Sequence, residues 1–248
     1  MNHKEKLLED LKALGIQAGD TVLVHTSIKG LNVPDIKAND IIEALLAAVG
    51  EQGTLLVPAL SYASVTPNCP VYDYKQTPTC IGTLPEVFRT QYASHRSIHP
   101  THSVCAVGRM AHALTSAHKL DNTPVGERSP FRLLTKVNGK ILMLGCGLKP
   151  NTFMHGVEEM AFASYCLRKQ PVNYTVTDST GTYHKDYYPH NFDRFVQRYD
   201  RLKNILSEAE LKKGQVLNGE AYLIEAVAAI DKGVKAIMAN DLYFVDSI

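Results

Sequence analysis

A histidine and two acids follow a glycine-rich turn and fall within one predicted helix. The stretch from Leu144 to Glu159 contains the turn first and then His155, Glu158 and Glu159. Residues three and four apart share one helical face, so either acid can hold the imidazole ring. The helix N-terminus disfavours imidazolium while a neighbouring carboxylate favours it, which would poise the ring near neutrality as a general base. Spacing alone does not separate this from a structural His–Glu pair.

A second group of histidines, His95, His99 and His102, falls within eight residues. Imidazole is a common zinc ligand, so this group could serve a metal-dependent hydrolase. However, Pro100 interrupts any helix that would align the rings, and no carboxylate or cysteine lies beside them in the sequence. A hydroxyl-rich turn that contacts phosphate or amide groups fits better, and a purely structural turn stays open.

Short hydroxyl residues and a lysine follow the first predicted strand, in the run from His25 to Gly30. In open α/β sheets the ligand crevice lies outside the carboxyl ends of the strands, so Ser27 and Lys29 suit a phosphorylated or amide-rich ligand. A simple exit from the strand would have the same composition.

Nucleophilic catalysis has weaker support. The chain has no Gly-x-Ser-x-Gly elbow, no Gly-x-x-x-x-Gly-Lys phosphate loop and no Gly-x-Gly-x-x-Gly dinucleotide fingerprint. Cys146 lies between two glycines and shortly before His155, so it could accept an acyl group. It also follows an apolar strand directly, where buried structural thiols are common, and the structural interpretation is favoured.

The elements that position these residues alternate between strands and helices. Strands are predicted at 21–25, 54–57, 103–107 and 140–144, with a hairpin at 172–177 and 182–188. Helices are predicted at 4–13, 84–91, 110–117, 192–206 and 226–235, at 41–49 with Asp40 as cap, after Ser129-Pro130, and after Asn151 as cap. A long functional loop is predicted at 60–81.

This order predicts one α/β domain over residues 1–248. The continuous apolar run at 21–25 indicates a strand covered on both faces, and strand–helix–strand spacing indicates a parallel crossover. We therefore expect three layers, with a largely parallel or mixed central sheet flanked by helices, plus a β-hairpin.

Composition restricts the partners. The 248 residues are 45% hydrophobic and 21% charged with a net charge of +1, which supplies no basic surface for nucleic acid. No apolar run reaches the length of about 18 residues that crosses a bilayer, and the first residues lack the apolar core of a secretory signal. Five cysteines without a Cys-x-x-Cys pair indicate reduced thiols. We expect a cytoplasmic protein that binds neither membrane nor nucleic acid.

Seven landmarks occur in the order found in the aminoglycoside 3-N-acetyltransferase family of antibiotic acetyltransferases, whose fold differs from the GNAT fold. The resemblance extends from about Leu23 to the C-terminal helix. The landmarks are residues 25–31, residues 53–58, Tyr72-Asp73 with Thr77-Pro78 and Gly82, residues 84–89, residues 96–100 with Ser103, Gly126 with Ser129-Pro130, and residues 151–158.

The resemblance implies transfer of an acetyl group from acetyl-CoA to a primary amine of an aminoglycoside or related compound, in a sequential mechanism without an acyl-enzyme. The family's His-x-x-Glu pair falls on His155, the expected base, and Glu158, which would orient it. Coenzyme contacts are expected from Ser27, Lys29, Ser97, Ser103 and Thr152, and acceptor contacts from Asp73 and Glu159. No metal is expected, a homodimer is compatible with the resemblance, and antibiotic resistance is the implied role. A binding protein without catalysis is the further alternative.

Overall fold

The computed structural model describes residues 3–248. Met1 and Asn2 lie outside the described residues, and with them the start of the segment in which the sequence predicts no secretory signal. In chain order the elements are α1 (His3–Leu14), β1 (Thr21–Thr26), α2 (Ala38–Val49), β2 (Thr54–Pro58), β3 (Val71–Asp73), α3 (Thr83–Val87), β4 (His95–Arg96), β5 (Val104–Gly108), α4 (Ala111–Thr115), α5 (Pro130–Leu133), β6 (Lys140–Leu144), α6 (Met154–Met160), β7 (Val172–Asp178), β8 (Gly181–Tyr187), β9 (Phe195–Gln197), β10 (Leu211–Val216), β11 (Gly219–Glu225), α7 (Ala226–Ala239) and β12 (Val245–Ser247). Across residues 3–248, each helix is too short or too polar to cross a bilayer.

The main sheet has the strand order β10-β11-β6-β1-β2-β5-β4. Strand β1 pairs in parallel with β2 and with β6, which confirms the predicted crossover. The other neighbours pair antiparallel, so the sheet is mixed rather than largely parallel. The two parallel pairings align the carboxyl ends of β1, β2 and β6 at one edge of the sheet.

Helices cover both faces of this sheet, as expected for three layers. Successive side chains of a strand point to opposite faces. Val22 and Val24 of β1 accordingly belong to the apolar cluster that contains α1 and α2, and Leu23 belongs to the cluster that contains α6 and α7. The continuous apolar run of β1 is therefore explained by burial on both sides.

The predicted hairpin is confirmed as β7 paired antiparallel with β8. Part of the predicted loop at 60–81 adds β3 to this hairpin, in parallel with β7. Tyr72 of β3 packs with Tyr174 and Tyr187 in a small core of its own. The sequence missed β3 because three residues carry too little periodicity to be recognised without the pairing partner.

The predicted helix at 192–206 is wrong. This segment forms β9 and a 3-10 turn at Tyr199–Asn204 instead. Its apolar residues have helical spacing, but β9 pairs with β12, and Arg198 and Arg201 form ion pairs with Asp246 of that strand. Pairing with β12, a strand distant in the sequence, thus overrides the local pattern.

Two predicted caps also differ. Helix α2 begins at Ala38, so Asp40 lies in its first turn and accepts the Lys37 backbone N–H at 3.0 Å. Helix α6 begins at Met154, and its Met154 N–H is bound by the backbone carbonyl of Asn151 rather than by the side chain. Pro130 is the first residue of α5 as predicted, although the side chain of Ser129, which precedes it, makes no capping hydrogen bond.

The turns that follow β1 and β6 touch at two glycines. A Cβ atom placed on Gly30 would lie 1.8 Å from the carbonyl oxygen of Gly145. The backbones can approach this closely only because Gly30 has no side chain. This contact fixes the two strand ends relative to each other.

We expect Gly30→Ala to lower the free energy of unfolding by about 3 kcal/mol, because the backbone of one turn must move. Gly19→Ala is the control, since its Cβ would meet nothing within 4 Å and only its φ of +92° is strained. That control should cost about 1 to 2 kcal/mol. Urea denaturation of both variants measures the two changes in the free energy of unfolding. Equal changes in the two variants would contradict the role given to Gly30.

Candidate active site

His155 and Glu158 lie on the first turns of α6, just after the glycine-rich turn that leaves β6. The Nδ1 atom of His155 is 3.1 Å from Oε2 of Glu158. The Glu158 side chain is fully buried, and 10% of the His155 side chain is exposed. The pair at i and i+3 therefore forms as the helical spacing predicts, with one ring nitrogen held and the other, Nε2, left for chemistry.

Two tyrosine hydroxyls complete the surroundings of the Glu158 carboxylate. Tyr199 donates to Oε2 at 2.8 Å and Tyr165 donates to Oε1 at 3.0 Å. Burial next to this carboxylate raises the pKa of Tyr199 well above its usual value, so the hydroxyl stays a donor. Sequence reasoning missed both tyrosines, because one lies in the segment mistaken for a helix and the other follows α6 in an irregular stretch.

Glu159 faces a different partner. Its Oε1 atom is 2.9 Å from Nε2 of His190 and accepts the Val125 N–H at 2.7 Å. Burial raises the pKa of Glu159 to about 7. With 5% of its side chain exposed, this carboxylate supports His190 rather than opening towards an acceptor.

Two further imidazole rings lie beside the ring of His155. The ring centroids of His190 and His102 lie 4.6 Å and 5.6 Å from that of His155, and 4.7 Å from each other. Burial holds the pKa of His102 and of His190 well below the usual value, which keeps both rings neutral. Phe192 stacks on His155 at 5.0 Å. No sequence pattern pointed to His190, which lies in the connection after β8.

Two cavities meet beside α6. The first, which we call the histidine cavity, has a volume of about 350 Å³ and is lined by His102, His155, His190 and Tyr199 among others. The second, the strand-end cavity, has a volume of about 190 Å³ and is lined by His25, Thr26 and Cys146 among others. Both include the same four residues in their walls: Leu60, Tyr62, Pro150 and Thr152. Two ligands bound in them would therefore meet along this shared wall.

Thr152 is tied to the end of β1. Its backbone N–H donates to Nε2 of His25 at 3.1 Å, and its hydroxyl lies 2.8 Å from the same nitrogen. Burial lowers the pKa of His25 to about 3, so this ring is a neutral acceptor. Lys29 is exposed and Ser27, which lies in the same turn, accepts the Gly30 N–H at 3.2 Å.

Ser97 and Ser103, the other expected coenzyme contacts, are fully buried. The Ser97 hydroxyl lies 2.8 Å from Nδ1 of His118, and the Ser103 hydroxyl donates to the carbonyl of Ala59 at 2.8 Å. Arg96 in turn donates to Ser103 at 3.0 Å. Both hydroxyls are thus occupied inside the protein and position the chain between β4 and β5.

Asp73 does not line the histidine cavity. Its Oδ1 atom accepts the backbone N–H groups of Lys75 and Gln76 at 2.7 Å and 2.9 Å, which fixes the turn after β3. This carboxylate therefore organises the loop, and the structure does not bring it together with His155.

The three histidines of the sequence-based metal hypothesis do not face one site, although the rings of His99 and His102 meet edge-on at a centroid distance of 6.0 Å. His95 in β4 packs its ring against His112, at a centroid distance of 5.5 Å. His99 is buried in another direction, stacked on His118 at 5.1 Å. Only His102 reaches the histidine cavity. Cys146 also lines the neighbouring cavity, and burial raises the pKa of its thiol to about 12, which leaves it a poor nucleophile at neutral pH.

In this mixed α/β fold, the buried acid–imidazole pair lies at the wall of one of two cavities that share part of their lining, an arrangement that suits a group-transfer enzyme with two substrates. A model of the family described as aminoglycoside 3-N-acetyltransferase matches residues 23–238. The chain belongs to this family, whose curated relatives are acyltransferases. The resemblance proposed from the sequence is confirmed.

Two relatives illustrate the similarity. The chain is 34% identical to aminoglycoside N(3)-acetyltransferase VIII of Streptomyces fradiae, over 67% of this chain and 65% of that protein. It is 27% identical to the prophage-derived aminoglycoside N(3')-acetyltransferase-like protein YokD of Bacillus subtilis, over 96% of this chain and 93% of the other.

Solved structures share the fold. The AAC-IIIb binary complex with CoASH has a TM-score of 0.80 at 26% identity and covers 94% of each chain. A mutant of aminoglycoside acetyltransferase AAC(3)-IVa in complex with a gentamicin has a TM-score of 0.82 at 26% identity, covering 97% of this chain and 90% of that one.

The buried, neutral ring of His118 is expected to make the folded protein less stable at acid pH. Burial lowers the pKa of His118 to about 3 from the usual 6.5, so the unfolded chain binds a proton there that the folded chain does not. This stability contribution is full above pH 6.5 and is lost as the pH falls towards 3, by about 1.4 kcal/mol per pH unit. We expect the unfolding free energy of His118→Asn to fall less steeply than that of the parent between about pH 6.5 and 5.5 in urea titrations. Parallel slopes would refute this assignment.

Proposed function

We propose that this protein is an acetyl-CoA-dependent N-acetyltransferase in which His155 is the general base and Glu158 orients it. The observation that carries the proposal is the His155–Glu158 pair, with Nδ1 held at 3.1 Å and the ring at the wall of a cavity. A protonated amine has no lone pair with which to attack a thioester, so a positioned base is the chemistry that transfer requires.

The proposed step keeps atoms and charges balanced. Nε2 of His155 takes a proton from the acceptor amine, whose nitrogen forms a bond to the acetyl carbon. The carbon–sulfur bond of the thioester then breaks, and coenzyme A leaves as a thiolate that takes up the second proton lost by the nitrogen as it becomes an amide. The imidazolium afterwards releases its own proton to solvent. The imidazolium formed at His155 is stabilised by the Glu158 carboxylate, to which Tyr165 and Tyr199 each donate a hydrogen bond.

Both substrates are proposed to be bound together. The strand-end cavity suits the pantetheine arm, with Thr152 at the reacting end and Ser27 and Lys29 near the exit of β1 for the charged part of the coenzyme. The histidine cavity suits the amine. The shared wall at Thr152 brings the two reacting groups together. The pKa of about 12 for Cys146 supports direct transfer without an acyl-enzyme. A related structure with CoASH supports the choice of donor.

The charge of the residues that line the histidine cavity affects which class of amine acceptor it can bind. An aminoglycoside carries several ammonium groups, and a site for it needs carboxylates. Among the described residues that line this cavity there is no carboxylate, and Lys149 contributes a positive charge. A related structure in complex with a gentamicin keeps aminoglycosides within the proposed class of acceptors. The lining favours an amino compound with fewer positive charges, which would separate this protein from a role in antibiotic resistance.

Cytoplasmic location and a homodimer remain parts of the proposal. The cysteines at positions 69, 80, 105, 146 and 166 are free thiols, as expected in a reducing compartment. Mass measurement in solution would test the assembly.

His155→Ala should lower turnover of acetyl-CoA by about 100-fold or more at pH 7, because general base catalysis contributes factors of that size. Affinity for coenzyme A, measured by calorimetry, should be unchanged. Glu158→Gln should retain more activity, because the ring keeps its position through Tyr199 at 2.9 Å. The control is His112→Ala, which removes an exposed histidine outside both cavities.

Near-normal turnover in His155→Ala would exclude its role as base. Coenzyme binding without transfer to any amine, in the parent protein, would instead support the alternative of a non-catalytic binding protein.

A thiol-release assay with acetyl-CoA and a panel of amines tests the acceptor. We expect higher kcat/KM for amines with one or two positive charges than for gentamicin. The variant Lys149→Glu should shift this preference towards gentamicin, since it reverses the charge at the cavity wall. A preference for gentamicin in the parent protein would contradict the argument from charge.

A further inference from the structure

The imidazoles of His102, His155 and His190 converge on one point of the histidine cavity. One nitrogen of each ring lies within 4.8 Å of the corresponding atoms of the other two. The hypothesis from the sequence named His95 and His99 with His102, so only one member of the group is common to both. The chain arrives at this point from three places: the turn before β5, helix α6 and the connection after β8.

In each ring, one nitrogen lies within hydrogen-bond distance of a protein group outside the cluster. Nδ1 of His155 faces Glu158 at 3.1 Å, Nε2 of His190 faces Glu159 at 2.9 Å, and Nδ1 of His102 faces the Thr101 hydroxyl at 2.8 Å. An ionised carboxylate accepts a hydrogen bond and so places the proton on the nitrogen that faces it, and for Glu159 this holds above its pKa of about 7. The opposite nitrogens of His155 and His190 are therefore left with lone pairs.

The lone pair of His190 has no partner among the described residues. Its Nδ1 atom is buried and makes no hydrogen bond within residues 3–248. A buried polar nitrogen without a partner costs free energy, and an ion bound at this point would remove that cost.

We propose that His102, His155 and His190 bind one divalent transition metal ion, with Zn²⁺ as the best fit, and that the bound ion inhibits transfer by occupying the lone pair of His155. Three imidazoles with a fourth position open to a cavity form a familiar zinc ligand set, and carboxylates behind histidine ligands fix the ring orientation and strengthen the site. Glu158 and Glu159 also offset the charge of the ion. The inhibitory consequence rests on the proposed function, whereas metal binding does not.

Equilibrium dialysis of the purified protein against Zn²⁺, followed by atomic absorption, tests the site directly. We expect one ion per chain, and at least tenfold weaker binding in His102→Ala and in His190→Ala. Glu159→Gln leaves the ligands in place but weakens the support of His190, so affinity should fall by about 10-fold to 100-fold. The double control His95→Ala/His112→Ala, outside the cavity, should bind like the parent.

A measurement on the parent protein tests the site even if the variants fail to fold. In ¹H–¹⁵N spectra of the imidazoles, one equivalent of Zn²⁺ should shift three of the ten histidines. Absence of stoichiometric binding, unchanged affinity in both single-ligand variants, or shifts confined to other histidines would overturn the site.

Turnover of acetyl-CoA with and without Zn²⁺ tests the consequence. We expect Zn²⁺ at one equivalent to reduce turnover by about tenfold or more, and a chelator to restore it. Stoichiometric binding with undiminished turnover would overturn inhibition. A protein that shows no turnover even with chelator would count against the proposed function, and the dialysis result would still decide the metal site.

Discussion

The buried carboxylate of Glu158 is the interaction on which the rest of the site depends. A carboxylate without solvent must be compensated by hydrogen bonds, and here His155, Tyr165 and Tyr199 supply them. These partners come from α6, from the stretch after it and from the 3-10 turn near the C-terminal part of the chain. The need to satisfy one buried group thus fixes three separate segments around one imidazole, and it leaves Nε2 of that imidazole facing the cavity.

The main sheet provides the frame for this arrangement. Parallel pairing of β1 with β2 and β6 places their carboxyl ends at one edge, and the close approach of Gly30 to Gly145 fixes the turns that leave them. The turn after β6 leads directly into α6, so the position of His155 is set by the sheet. The contact between His25 and Thr152 joins the same two segments a second time, at the wall shared by the two cavities.

A second acid–imidazole pair, Glu159 with His190, lies beside the first. Adjacent acids on one helix support two different rings, because residues at successive helical positions point in directions about 100° apart. This geometry accounts for both proposals made here. One ring with a free lone pair would serve as a base for an amine, and three neighbouring rings whose nitrogens converge would serve as a ligand set for a metal ion. The same nitrogen of His155 serves both, so the two uses exclude each other.

The sequence by itself determined the elements whose pattern is local and strong. These include the buried strands β1, β2 and β6, the crossover between the first two, the β7–β8 hairpin, and the His155–Glu158 spacing on a helix. Only the tertiary structure decided which distant groups meet these residues. Tyr199 lies in a segment whose apolar spacing imitates a helix, His190 lies in a connection without any pattern, and the three histidines close in sequence point in different directions. Local periodicity reports which face of an element is buried, whereas the partners of a buried polar group are chosen by long-range strand pairing and packing that no local window contains.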